Sequence, residues 1–160
     1  MAEMIGRERN LWLLAAFVAL VLGGGTTTGM LTGPDAWYTS LAKPAFNPPN
    51  WVFGPVWSVL YVMIGVAGWL VWTSGRSRPA VTLWWVQLAL NFLWSPVFFA
   101  MHSIGLALIV ISLLLGVIWM FVAITARQCP RAALLFVPYG LWVAFATVLN
   151  ASLYLLNPQA

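Results

Sequence analysis

Charge is what this chain of 160 residues has least of: seven basic side chains, three acidic ones and a single histidine. About a quarter of the residues in an ordinary soluble domain are charged, against 6% here, too few to hydrate a globular surface. None of the long apolar stretches contains Asp, Glu, Lys, Arg or His. Proton relays, ion pathways and carboxylate-pair catalysis all need such groups within the membrane, so these function classes are disfavoured. His102 stands alone in a tight turn. That is too little for a metal or haem site, and no acid stands near it in sequence to complete a Ser-His-Asp arrangement. Cys129, the only cysteine, excludes an internal disulfide. The net charge of +4 comes from basic residues scattered in pairs between apolar runs, which reads as a topology signal and not as a phosphate-binding patch. Nucleic acid is not an expected partner.

What is present is hydrophobicity, at 62% of residues. About 20 apolar residues cross a bilayer core, and five runs meet that length, near 11–30, 51–73, 80–101, 104–125 and 132–156. The expected class is an all-α membrane protein, a single domain of five transmembrane helices. A cleaved signal peptide is the competing reading of the first run, but no clean cleavage site follows and the apolar run continues past Thr28. Five spans put Arg7, Arg9, Arg76, Arg78, Arg127 and Arg131 on one side of the membrane and only Lys43 on the other, a segregation that four or six spans would break. By the positive-inside rule the N-terminus is expected in the cytoplasm, with the connection 31–50 and the C-terminus across the membrane. No repeat is apparent, so the inverted-repeat logic of many transporters has no support. Gly25 and Gly29 have the small-xxx-small spacing of a helix-contact face and are the candidate dimer interface.

The stretch from Trp37 to Trp57 departs from the rest. Pro44, Pro48, Pro49 and Pro55 restrict its backbone, and Trp37, Tyr38, Phe46, Trp51, Phe53 and Trp57 give it far more stacking surface than a connector needs. A stiff, aromatic, nearly uncharged loop is expected to be an ordered cover over something flat and apolar. Three helical stripes run beneath it: Gln87, Asn91, Trp94, Ser95 and Phe98; Tyr139, Trp142, Ala146 and Asn150; and Trp57, Tyr61 and Gly65. Buried amides need partners in hydrocarbon, so Asn91 and Asn150 are expected to face inward. Trp12, Trp69, Trp72, Trp84 and Trp85 lie near span ends and are expected in the membrane-interface belt. Pro96 and Pro138 fall inside spans, where kinks would widen the space between helices.

These residues also form ordered motifs. Trp37-Tyr38-x-x-Leu41-x-Lys43-Pro44-x-x-x-Pro48-Pro49-x-Trp51-Val52-Phe53-x-x-x-Trp57 resembles the first-loop signature of the TspO/MBR family of tryptophan-rich sensory and translocator proteins. Gln87-Leu88-x-x-Asn91-x-x-Trp94-Ser95-Pro96-x-Phe98-Phe99 resembles its third-helix motif, and Pro138-Tyr139-x-x-Trp142-x-x-Phe145-Ala146-Thr147-x-Leu149-Asn150 its fifth-helix motif. The resemblance implies a five-helix bundle, commonly a homodimer, in a bacterial membrane, binding porphyrins and other planar hydrophobic ligands and needing no cofactor. Carried over by position, the ligand site comprises Tyr38, Trp57, Tyr61, Asn91, Trp94, Phe98, Trp142 and Ala146. Trp57 and Trp142 match tryptophans implicated in light-dependent porphyrin degradation, a photo-oxidative chemistry that needs no titratable groups. The expected output is sensing or regulation, with porphyrin degradation or passive transport as alternatives. The sterol pattern of animal relatives is incomplete, because no Lys or Arg follows Tyr154.

Overall fold

The computed structural model describes residues 2–75 and 77–158, with side chains from residue 10 onward; Arg76 and the side chains of Arg7 and Arg9, used above for topology, lie outside the described residues. The described residues form helices α1 (Ala2–Leu31), α2 (Ala36–Ser40), α3 (Asn50–Ser74), α4 (Arg78–Ser95), α5 (Ile104–Gln128) and α6 (Pro130–Leu156), with no strand among them. A single π-turn, Pro96–Ala100, extends α4. Five helices are long and apolar enough to cross a membrane, at the positions the hydropathy pattern marks. Their outer faces carry exposed Leu106, Ile109 and Leu113 on α5 and Leu134 and Leu141 on α6, a coat that water would not tolerate and lipid does. The chain is a multi-pass membrane protein.

Local chemistry sets the helix ends. Gly75 closes α3 at φ 61°, a left-handed conformation that glycine adopts without Cβ strain. Ser77 Oγ then accepts the N–H of Ala80 at 3.3 Å, and Pro79 sits in the first turn of α4, where its missing donor costs nothing. The connection from residue 32 to residue 49 contains one helical turn, α2, that its proline content did not suggest. Asp35 caps it, its Oδ1 accepting the N–H of Tyr38 at 3.0 Å, and no proline falls between Asp35 and Pro44.

The long helices form a closed ring in the spatial order α1, α3, α6, α5, α4, with α4 returning to α1. The ring is solid at one end and hollow at the other. At the solid end Phe121 and Phe136 stack at 4.0 Å, and Trp84 fills the space between α3 and α4. Trp84 corrects the expectation of an interface belt: it is only 1% exposed, and its Nε1 donates to the Ile64 carbonyl at 2.9 Å. Gly68 makes the room, since a Cβ there would lie 2.3 Å from the indole. Trp12, Trp72 and Trp85 are exposed on the outside, where such a belt places them. Close approach of α1 to α3 depends on Gly65, whose Cβ would lie 2.7 Å from the Val18 Cα.

Candidate functional site: an aromatic cavity at the hollow end

The three polar-aromatic stripes meet inside the ring. Tyr139 lies at their centre, fully buried; its hydroxyl donates to Gln87 Oε1 at 3.0 Å and accepts from Asn91 Nδ2 at 2.9 Å. One turn nearer the loop, Trp94 Nε1 donates to Asn150 Oδ1 at 3.1 Å, and Asn150 Nδ2 donates to the Ile104 carbonyl at 3.1 Å. Asn91 and Asn150 therefore face inward, and each finds a partner on another helix, as buried amides in hydrocarbon must. From α3, Trp57 packs on Tyr61 at 5.3 Å and edge-on to Tyr139 at 6.3 Å.

Between this floor and the loop is a cavity of about 440 Å³, within the range of small-molecule sites. All eight positions carried over from the family motifs line it: Tyr38 on α2, Trp57 and Tyr61 on α3, Asn91 and Trp94 on α4, Phe98 on the π-turn, and Trp142 and Ala146 on α6. Among the described residues no charged side chain lines it. The Trp142 side chain lines the cavity, while its Nε1 is itself shielded from solvent and has no hydrogen-bond partner among the described residues. Gly29 and Gly54 lie on the wall, both exposed, and a Cβ on either would meet nothing within 4 Å. The cavity is thus open sideways between α1 and α3. Gly25, the other glycine of the proposed dimer face, is buried within its own chain. A Cβ there would lie 2.2 Å from the Tyr61 ring, so the contact it serves is intramolecular.

The π-turn follows from Pro96. The Met101 N–H donates to the Pro96 carbonyl at 2.9 Å, five residues back, and the widened turn packs Phe98 on Trp94 with centroids 5.1 Å apart and Phe99 edge-on to Tyr38 at 5.4 Å. A kink at this proline was expected; what the structure records is a widened turn at the cavity wall.

Several contacts at this end had no sequence signal, because their partners are far apart in the chain. The Thr32 and Ser95 hydroxyls lie 2.8 Å apart and Ser95 Oγ also donates to the Thr32 carbonyl, tying the end of α1 to the end of α4. Asn157 clamps Ala42 from both sides, accepting its N–H at 2.9 Å and donating to its carbonyl at 3.0 Å. Lys43 Nζ donates to the carbonyls of Tyr38, Thr39 and Leu41 and lies 4.7 Å from the centroid of the Tyr38 ring, so it serves as the C-terminal cap of α2. His102, read as unaccompanied by an acid, has Nε2 2.9 Å from Asp35 Oδ2, and this is a correction. Sequence proximity could not show it, since 67 residues separate the two. The Tyr38 N–H and then His102 hold the Asp35 carboxyl below the usual 3.8. Burial raises the Tyr38 phenol above its ordinary 10.0, an effect that Asn47 partly offsets.

The TspO/MBR family model matches residues 17–155. The chain is 40% identical to the tryptophan-rich sensory protein of Cereibacter sphaeroides over 150 residues, covering 91% of this chain and 92% of that one. It is 39% identical to the tryptophan-rich protein TspO of Archaeoglobus fulgidus over 154 residues, covering 92% and 99%, and 41% identical to the human translocator protein over 119 residues, covering 71% and 70%. With a match over nearly its whole length and the three motifs assembled around one cavity, the chain belongs to the TspO/MBR family.

Proposed function

We propose that this protein is a membrane receptor or sensor whose cavity binds a porphyrin or a related flat, apolar tetrapyrrole. The observation that carries the reading is the cavity itself: aromatic walls and uncharged polar groups, under a cover that brings Tyr38 to its edge. A large planar ligand gains apolar and stacking contact there without bringing a charge into hydrocarbon. Membership in a family with a sensory protein among its relatives supports the receptor role. Titrating the purified protein with protoporphyrin is expected to quench tryptophan fluorescence saturably, with weaker binding in Trp142→Phe. Absence of quenching, together with no effect of that substitution, would remove the reading.

A second reading has one observation in its favour: Trp57 and Trp142 both line the same cavity. In that reading dissolved dioxygen, activated by the illuminated porphyrin, is the oxidant: it supplies the oxygen inserted as the bound macrocycle opens, and the two indoles are the protein groups it can also oxidise. A bilin-like product is then expected from illuminated protein, absent in the dark and lost in Trp57→Phe.

A further inference from the structure

The cover is held at one corner by a pair of ionisable side chains that neither the hydropathy pattern nor the cavity accounts for. Asp35 uses both carboxylate oxygens: Oδ1 accepts the N–H of Tyr38 at 3.0 Å, and Oδ2 lies 2.9 Å from His102 Nε2. His102 also stacks on Trp37, centroids 4.4 Å apart and planes 26° apart. Trp37 meets Phe98 edge-on at 5.7 Å, and Tyr38 meets the same ring at 6.1 Å. One imidazole, from the turn between α4 and α5, thus touches both the cap of α2 and its second residue. It does so at φ 51°, a left-handed conformation that a residue other than glycine keeps only where its surroundings hold it.

We propose that Asp35 and His102 form a charge-dependent clasp that positions α2, and through it Tyr38, over the cavity. An imidazole is the side chain whose charge ordinarily changes between about pH 5 and 8. When it is protonated the contact is an ion pair; when it is neutral the contact is a hydrogen bond to a carboxylate, which is the weaker of the two. The clasp therefore tightens as pH falls through the imidazole range and loosens as pH rises. The other ionisable groups nearby do not duplicate it. Lys43 is held by three carbonyls at the far end of α2, and Tyr154 of α6 approaches the start of α5 only across Gly105. Arg78, Arg127 and Arg131 lie at the opposite end of the bundle, at the starts of α4 and α6 and the end of α5. Both partners are 44% exposed on their side chains, so the expected effect is small, about threefold in the opening of α2.

The test starts without ligand. In the detergent-solubilised full chain, amide exchange of Tyr38 and Thr39, corrected for intrinsic rates, is expected to be about threefold slower near pH 5.5 than near pH 8. That ratio is expected to fall to one in Asp35→Asn, which keeps the helix cap, and in His102→Asn, which tolerates the left-handed backbone. Because His102 is the only histidine, its ring signals are unambiguous and report directly whether the imidazole leaves Trp37 in Asp35→Asn. Equal exchange at both pH values, or a ratio that survives either substitution, would overturn the clasp. The consequence for binding rests on the proposed function: protoporphyrin is expected to leave more slowly near pH 5.5 than near pH 8, with the pH ratio smaller in Asp35→Asn, a comparison that cancels the pigment's own titration. If protoporphyrin does not bind, the proposed function falls and the exchange data alone decide the clasp. If it binds but dissociates with one pH ratio in both proteins, the positioning of Tyr38 over the cavity is refuted.

Discussion

Tyr139 brings a hydroxyl into the middle of the bundle, where both of its hydrogen bonds go to amides on α4. Tyr139→Phe keeps the ring and its packing but leaves Gln87 Oε1 and Asn91 Nδ2 without these partners. Hydrogen bonds between membrane helices are worth about 0.6–1 kcal/mol each, so losing these two is expected to cost about 1–2 kcal/mol of stability, read as a lower thermal midpoint in detergent. A second residue-scale effect concerns Asp35. Its folded pKa lies below 3.8, so the stabilisation it provides is fully present above that value and is lost as pH falls through the folded pKa. Protease nicking of the connection between α1 and α3 is therefore expected to rise in the acid range below about pH 4 as the carboxylate is protonated. In Asp35→Ala, which has no carboxylate to protonate, nicking is expected to be high already at neutral pH. This acid effect is distinct from the imidazole effect proposed above, which belongs to a higher pH window and has the opposite sign.

At the scale of elements, two glycines in similar helical settings are expected to behave oppositely. Gly68 faces the Trp84 indole, which is pinned by its hydrogen bond to Ile64 and cannot move aside cheaply. Gly68→Ala is expected to destabilise by about 1–3 kcal/mol through overpacking. Gly116 on α5 is exposed with nothing within 4 Å of a built Cβ, so Gly116→Ala is expected to be neutral or stabilising by about 0.5 kcal/mol. Thermal melts of both variants in one detergent check the pair. The cover depends on elements far from it in sequence: Asn157, just past α6, holds Ala42 by two hydrogen bonds. Asn157→Ala is expected to speed limited proteolysis between α2 and α3 several-fold while leaving the melting of the bundle nearly unchanged, since each such bond contributes about 1 kcal/mol to a local opening.

At the scale of the molecule, the bundle is asymmetric along its length, packed with aromatic rings at the arginine end and hollow beneath the cover. If the topology follows the positive-inside rule, Ser40→Cys is expected to react with an impermeant thiol reagent added outside sealed vesicles and not with reagent confined to the lumen on the cytoplasmic side. Much of this was legible in the chain. The five spans and the inward-facing amides follow from lengths and from 3.6-residue periodicity, because a helix in lipid must satisfy its own backbone and hide its polar side chains on one stripe, whereas the eight cavity positions came from the family motifs. Periodicity says which residues share a face. It does not say how deep a face is buried, or what from a distant segment meets it. Trp84 was misplaced on that account: its position near a span end suggested the interface, and only the packing of Gly68 opposite it makes a buried slot. The same holds for His102, whose acid is supplied from across the cover, and for Gly25, whose partner proved to be Tyr61. The sequence by itself determined that the chain crosses a membrane as five helices and which stripes turn inward, because solvent and helix geometry act on each segment locally. Only the tertiary structure decided that those stripes leave a space between them, and which distant side chains, Asn157 and His102 among them, meet the connection above it, because both depend on contacts between residues that the chain order keeps apart.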